Sequence, residues 1–415
     1  MRESLRLDGS DVPRHTGRGL RAVLCGAVSV LLGTAVVPPS PAVAAPTCGP
    51  AGEAAPSAEP WGLRRLEPSS VWHLTRGAGV TVAVIDSGVS ATHPLLKGQV
   101  REGADFNGLP SSKGQCDLVG HGTMVAGIIA GKADTGVPFN GVAPEARILP
   151  IRVLAERRAP NDEALPGEIA QAIRWAVDHD ADVINLSLVT LPRPQLASAV
   201  DYALSRGVVV VAASGNREEQ QQDYLAYPAA YPGVIAVAGM DEQGAHVGSS
   251  VSGDYVDIAA PGLNILGPAP RGSGYVLEPQ GGTSFAAAYV SGVAALVRAA
   301  HPDLTPQQVA DRLIKTADNP PEGHNAEVGY GMVNPYRAVT ALLGTRTNPP
   351  VGAMPAPAAP EDPLGWQRVV AVWVAAVGAL LAAVLLTVRP ILARGRSRGW
   401  RPGRRPTETG PSAAG

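Results

Sequence analysis

Residues 369–388 (VVAVWVAAVGALLAAVLLTV) run for 20 residues without a charge, and this stretch limits what the chain can become more than any other. A helix rising ~1.5 Å per residue covers ~30 Å over that length, the depth of a bilayer core. The sequence therefore predicts a transmembrane helix. A buried globular helix is the alternative, and the flanks weigh against it: Arg368 precedes the run, and Arg389, Arg394, Arg396, Arg398, Arg401, Arg404 and Arg405 follow. Cytoplasmic flanks carry the excess of Arg and Lys, so 389–415 is expected to be a basic cytoplasmic tail, with the body on the other side.

At the opposite end Arg14, Arg18 and Arg21 precede an apolar run over 22–37, then Pro-rich residues and Ala42-Val43-Ala44. That is the layout of a secretory signal peptide over 1–44, with an uncleaved anchor as the alternative. Either reading exports the body, which makes the expected location the cell membrane, single-pass, with the body extracytoplasmic. Removing the two Arg-rich ends leaves 22 basic and 32 acidic residues over 22–388, a formal charge of −10. Nucleic acid is thereby excluded as a partner of the body, because affinity for phosphates comes from Lys and Arg. Cys25 lies in the signal sequence, so Cys48 and Cys116 are the only pair in the exported part. In an oxidising compartment a lone pair reads as one disulfide; two free buried thiols are the alternative.

The texture changes twice in between. Residues 45–70 are rich in Ala, Pro and Glu with little periodicity and read as an extended arm. Residues 346–368, with six Pro before 366, read as a semi-rigid stalk next to the membrane. The folded unit is 71–345, and no repeat at solenoid or propeller periods occurs in it. Short β-branched runs at 80–85, 148–153, 183–188, 208–213, 234–238 and 256–259 are expected strands. Helical patterns occupy 122–130, 168–178, 195–205, 284–300, 306–316 and 335–343. In the second of these, Ile169, Ala172, Ile173, Ala176 and Val177 keep the spacing of one buried helix face. Thr305-Pro306-Gln307-Gln308 has the form of a capped helix start. Continuously apolar strands alternating with helices predict an α/β fold, a parallel sheet with helices on both faces. Such folds place their chemistry at the carboxyl ends of the strands.

The reactive residues fall there. Asp86 closes the first strand in VTVAVIDSGV, and Ser87-Gly88 forces a turn after it. His121 stands in GHGTMVAGIIAG at the mouth of a helix of small residues, with Gly120 and Gly122 allowing close backbone approach. Ser284 stands in GGTSFAAAYVSGVAALV, between glycines and a buried helix. Acyl transfer by a serine needs a base for the hydroxyl proton and a group that fixes the base's tautomer. His121 can be that base and Asp86 the orienter. A helix N-terminus disfavours imidazolium, and Asp86 would offset this as His121 protonates. Asn216, after the strand in VVVVAASGN, could offer its amide to the oxyanion, with the backbone N–H of Ser284 as second donor. Taken singly, each piece has an ordinary structural explanation as a cap or turn residue. Together, in the order Asp, His, Asn, Ser, they point to one chemistry.

The blocks IDSGV, GHGTMVAGIIAG, AASGN and GGTSFAAAYVSG resemble the four signature segments of the subtilisin-like serine proteases, over about 275 residues. The whole-chain plan is similar to the mycosins, the membrane-anchored subtilases associated with type VII secretion systems of actinobacteria. The shared features are the signal peptide, a short arm with one Cys, WGLRRLEPSSVWHLTRGAGVTVAVIDSGV, a Cys before His121, a Pro-rich stalk and one C-terminal helix. The resemblance implies a subtilisin-like fold and a membrane-anchored serine endopeptidase. Its partners would be protein or peptide substrates from a restricted set of exported proteins and membrane components of a type VII secretion complex. A structural role in such a complex is the alternative, and general nutrient scavenging a weaker third.

By the same resemblance Ser187-Leu188 and Ala213-Ser214-Gly215 would flank the pocket for the residue before the scissile bond and pair with substrate backbone. Three departures stand out. Val189-Thr190 replaces Gly-Gly and is expected to narrow the cleft. Ala288 replaces a Pro after the nucleophile, which puts that residue's placement in question. Only one disulfide is possible, where some mycosins have two. The arm, at 26 residues, is too short for a compact inhibitory prodomain and is expected to be a strap held by Cys48–Cys116. No contiguous acidic loop of the EF-hand type occurs, so no metal and no cofactor are expected.

Overall fold

The computed structural model describes residues 48–109, 112–133, 136–154, 163–217, 223–343 and 365–400. The expected signal peptide with Cys25, the stalk up to 364 and the tail from 401 onward lie outside the described residues.

Seven strands form one parallel sheet: β1 (Thr81–Asp86), β2 (Ala104–Asp105), β3 (Arg147–Arg152), β4 (Val183–Leu186), β5 (Val209–Ala213), β6 (Ile235–Met240) and β7 (Ile258–Pro261). Their order is β2-β3-β1-β4-β5-β6-β7, and every neighbouring pair is parallel. All residues of β1, β4, β5, β6 and β7 are buried, which is why their sequence shows no apolar-polar alternation and few polar residues, Thr81, Asp86 and Asn185. The alternation is instead between two cores. The helices of the body are α1 (Trp61–Leu66), α2 (His121–Ala130), α3 (Leu165–Asp178), α4 (Pro194–Ser205), α5 (Thr283–Ala300), α6 (Pro306–Thr316) and α7 (Pro335–Thr340). Val82 and Val84 of β1 face the core built with α2 and α5, whereas Ala83 and Ile85 face the one built with α3 and α4.

Expected and observed elements agree to a few residues. The α6 start carries the full capping box: the Thr305 hydroxyl accepts from the Gln308 N–H, and the Gln308 side chain accepts from the Thr305 N–H. α5 is uninterrupted through Ala288, which has no exposed surface. β4 stops at Leu186, two residues before the expected end, because Ser187 turns to α5 and donates its hydroxyl to the Ser284 carbonyl at 2.7 Å. An antiparallel pair, β8 (Ile265–Pro268) and β9 (Tyr275–Glu278), has no counterpart in the sequence reading. Gly267 and Pro268 break its apolar run. At Gly267 the two elements pack tightly, since a Cβ there would lie 3.1 Å from the Met124 side chain of α2.

The stretch read as an extended arm is extended only in its first half. Glu53 exchanges two backbone hydrogen bonds with Tyr275 of β9, at 2.8 and 3.0 Å. Residues 61–66 are helical instead: Leu63 and Leu66 join the main core, and the Trp61 indole donates to the Leu263 carbonyl at 2.8 Å. Three large apolar side chains within six residues were enough to fold it, although the segment is too short for periodicity to declare itself.

The second unit, beginning at Leu343, contains α8 (Gly365–Ser397). It is a 33-residue helix with no buried residue in its apolar window, a candidate membrane span that includes all of 369–388. α5 is also long and apolar enough for the same description, yet 78% of it is buried inside the body.

Cys48 and Cys116 are joined by a disulfide across a sequence separation of 68 residues. Closing a loop of that size restricts the unfolded chain and stabilises by up to about 4 kcal/mol. Reduction, or Cys48→Ser, is expected to lower the unfolding free energy by an amount of that order in equilibrium denaturation. Identical denaturation midpoints with and without reductant would show that the bond contributes nothing to the fold.

Candidate active site

Four side chains from different elements meet at the carboxyl edge of the sheet. Asp86 is the last residue of β1, and its side chain has no solvent exposure. A buried carboxylate needs donors. The Ser87 N–H supplies one at 2.7 Å, and the His121 Nδ1 lies 2.8 and 3.0 Å from the two Asp86 oxygens. A carboxylate acting as acceptor assigns the hydrogen to Nδ1, which leaves Nε2 as the basic nitrogen.

His121 is the first residue of α2, after Gly120 with φ of 98°. Its approach to Asp86 depends on Gly122. A Cβ at that position would lie 2.2 Å from the Gly88 carbonyl oxygen and 3.1 Å from the Asp86 Cβ. Only hydrogen fits between the first turn of α2 and the turn that ends β1.

Ser284 is the second residue of α5, where no carbonyl of the same helix is in reach of its N–H. Its hydroxyl donates to the Ser187 carbonyl at 3.2 Å, while Ser187 bonds back to the Ser284 carbonyl. Asn185 of β4 continues this clasp, donating to the Ser187 hydroxyl and accepting from the Ser291 hydroxyl, both at 2.9 Å. Asn216 follows β5. Its Oδ1 accepts the Thr283 N–H at 2.9 Å, and because a backbone amide can only donate, the contacting atom is oxygen. The side-chain NH2 therefore faces the other way, a donor oriented by the first residue of α5.

Asp86, His121, Asn216 and Ser284 all line one cleft of about 260 Å³. Ser187, Leu188 and Ala213 line it too, and Leu154, Leu165, Val189 and Phe285 make its walls largely apolar. Ser214 and Gly215 are buried beside the cleft, the Ser214 hydroxyl donating to the Val251 carbonyl and the Gly215 N–H to the Thr283 hydroxyl, both at 3.2 Å. The expected narrowing by Val189-Thr190 is half right. Val189 is on the cleft wall, but Thr190 is buried and bonded through its N–H to the Tyr227 carbonyl at 2.9 Å. Among the described residues no group of three or more His, Cys, Asp or Glu side chains is arranged to hold a metal.

Two residues of the site escaped the sequence reading. Tyr224 lines the cleft and donates its hydroxyl to the Asn216 carbonyl at 2.9 Å, and burial pushes its phenol pKa up. It stands in a polar stretch with no pattern to mark it. Asp117 lies behind the first turn of α2 and accepts five hydrogen bonds, including those of the Gly120 and Thr123 N–H groups. An Asp a few residues before a Gly-His-Gly helix start was the available signal, since Asp is a preferred cap.

A parallel sheet with this cleft at its carboxyl edge, flanked by α2 and α5, is the subtilisin-like fold. The subtilase family profile (peptidase S8) matches residues 77–331, and the chain belongs to that family of serine proteases. Within it the likeness to mycosins is strong: the chain is 36% identical to Mycosin-4 of Mycobacterium tuberculosis over 329 residues, 69% of this chain and 71% of that one. The solved structure of the MycP3 protease from the type VII (ESX-3) secretion system matches with TM-score 0.63 and 37% identity, covering 70% of this chain and 91% of that one. A chain of an intact ESX-5 inner membrane complex matches with TM-score 0.61 and 30% identity, over 84% of this chain and 94% of that one.

Gly122→Ala is expected to separate His121 from Asp86 and to lower kcat on the order of 10²-fold, as ångström displacements of a reacting group do. Wild-type kcat in that variant, measured on a peptide substrate, would mean that the close approach is not needed for activity.

Proposed function

We propose that the cleft hydrolyses peptide bonds with Ser284 as nucleophile, His121 as general base and Asp86 as the group that orients His121. The observation that carries this reading is the contact of His121 Nδ1 with both oxygens of a fully buried carboxylate, which presents Nε2 as a proton acceptor in the cleft that holds Ser284. When substrate enters, the Ser284 hydroxyl turns its proton from the Ser187 carbonyl to His121, and Oγ attacks the scissile carbonyl. The proton then passes from His121 to the leaving amine, and water repeats the cycle on the acyl-enzyme. The Asn216 NH2 and the Ser284 N–H are the proposed donors to the oxyanion. Ser187, Leu188, Ala213, Ser214 and Gly215 are the proposed frame for the substrate backbone, with apolar side chains favoured by the walls.

Ser284→Ala is expected to abolish cleavage, and His121→Ala and Asp86→Ala to come close to it. Asn216→Ala should lower kcat on the order of 10²-fold with little change in KM, because the oxyanion exists only along the reaction path. Peptide hydrolysis at the wild-type rate by Ser284→Ala would overturn the assignment of the nucleophile.

The proposed layout of the chain is a signal peptide over 1–44, an arm over 45–70, the peptidase domain over 71–345, a stalk over 346–368, the transmembrane helix over 369–388 and a cytoplasmic tail over 389–415. The catalytic body would then face a restricted set of exported proteins. Association with a type VII secretion complex is supported by the likeness to chains of the ESX-5 periplasmic assembly and inner membrane complex. That likeness also favours a second role, bracing the complex, in addition to cleavage. Under it, a strain carrying Ser284→Ala keeps complex assembly and loses only processing, whereas a deletion strain loses both. Equal loss of assembly in the two strains, at matched expression, would leave proteolysis as the whole function.

A further inference from the structure

We infer that Asp117 is a positioning residue for His121, fixing the first turn of α2 against the end of β1 and adding a second negative charge behind the imidazole. The inference rests on the reading of His121 as general base. Asp117 is buried in the loop that precedes α2, next to the Cys116 of the disulfide. Its Oδ1 accepts from the Ser87 hydroxyl at 2.9 Å, the Val119 N–H at 3.0 Å and the Gly120 N–H at 2.7 Å. Its Oδ2 accepts from the Thr123 N–H at 2.9 Å and the Thr123 hydroxyl at 2.6 Å. The two hydroxyls extend the reach of the carboxylate. Ser87 Oγ accepts the Gly122 N–H at 3.0 Å, and Thr123 Oγ1 accepts the Ser90 N–H at 3.0 Å.

Three of the orphan amides that open α2, those of Gly120, Gly122 and Thr123, are thus gathered by Asp117 directly or through Ser87. His121 sits in the middle of that turn. Ser87 also donates its N–H to Asp86, so a continuous path of hydrogen bonds runs from Asp86 through Ser87 to Asp117. The carboxylate that orients the imidazole from the front and the one that holds its backbone from behind share one residue. Such an arrangement fixes both ends of the His121–Asp86 contact. Burial, with a contribution from the Asp86 charge, pushes the Asp117 carboxyl above its ordinary value, and the donors from Thr123 and Gly120 oppose this. With five hydrogens aimed at its two oxygens, the ionised form is the one that the site is built to receive.

The other titratable groups around this turn are few. Arg152 of β3 and Asp105 of β2 are paired with each other at 3.0 Å. His93 accepts the Leu95 N–H at Nδ1 and meets the Gly274 carbonyl through Nε2, and burial lowers its pKa. β8 brings no ionisable side chain, and from α5 the Phe285 ring lies 5.4 Å from the imidazole. Asp86, which contacts the imidazole, and Asp117, which binds the backbone on either side of His121, are the carboxylates joined to this turn by hydrogen bonds.

The test uses the full chain in detergent, a fluorogenic peptide that the wild type cleaves, and active-site titration to count competent enzyme. Asp117→Asn is expected to lower kcat at least tenfold with KM within about twofold. It should also move the acid limb of the kcat/KM profile to lower pH, by about half a unit or more, because loss of a nearby negative charge makes the imidazole harder to protonate. A purely structural role would reduce the titratable fraction and leave the limb in place. Ser87→Ala keeps both carboxylates and cuts the path between them; a severalfold loss of kcat with the limb unmoved is expected, and this variant decides the matter if Asp117→Asn fails to fold. Wild-type kcat and an unmoved limb in Asp117→Asn, or wild-type kcat in Ser87→Ala, would overturn the inference while an inactive Ser284→Ala leaves the serine-protease reading intact. Activity in Ser284→Ala would overturn both.

Discussion

A carboxylate with no access to water must be met by donors, and the site is organised around meeting Asp86. The sheet brings it to the end of β1, the turn through Ser87 gives it one N–H, and α2 brings the imidazole. For that helix to come close enough, Gly122 and Gly88 have to pass each other with no side chain between them. The packing of α2 against β8, with Gly127 against Pro268 and Gly267 against Met124, follows from the same closeness. The chemistry at the cleft therefore depends on where backbone can touch backbone.

Much of this was legible because burial on both faces leaves a plain trace. β5 and β6 carry no charged or amide side chain, and the interiors of β1, β3 and β4 are apolar apart from Asn185, as strands hidden on both faces of a parallel sheet are. The small-residue runs after His121 and Ser284 likewise announce helices threaded through a crowded interior. What escaped was set by tertiary contact. β8 and β9 pair across Gly- and Pro-rich sequence, α1 has only three apolar anchors, and Asn185, an amide in the middle of an apolar strand, is explained only by its partners Ser187 and Ser291. Thr190 was misread for a simple reason: one register step separates a residue that faces the cleft from one that faces away, and the turn after β4 decides which.

The departures from the family pattern look milder in place than in sequence. Ala288 sits in an unbroken helix, and Ser284, four residues earlier, is held by two hydrogen bonds with Ser187 just after β4. The arm is less a strap than an outer layer of the body: Cys48 ties its start to the loop before α2, Glu53 extends the edge of β9, and Trp61 seals the core.

The composition of α5 has a consequence for how such a chain is made. If the body is exported as proposed, a translocon deciding which segments to release sideways into lipid meets two long apolar helices among the described residues, the 18 residues of α5 and the 33 of α8. The proposed layout requires that α5 be refused and α8 accepted. Insertion is driven by Leu, Ile, Val and Phe and opposed by polar and charged groups. α5 has seven alanines in its 18 residues, with Thr283, Ser284, Ser291, Gly292 and Arg298 along its length, whereas 369–388 has leucine and valine throughout and no charge. On that layout the small side chains that let α5 pass between the sheet and α2 would also keep the segment bearing Ser284 from being stranded in the bilayer before the sheet exists to bury it.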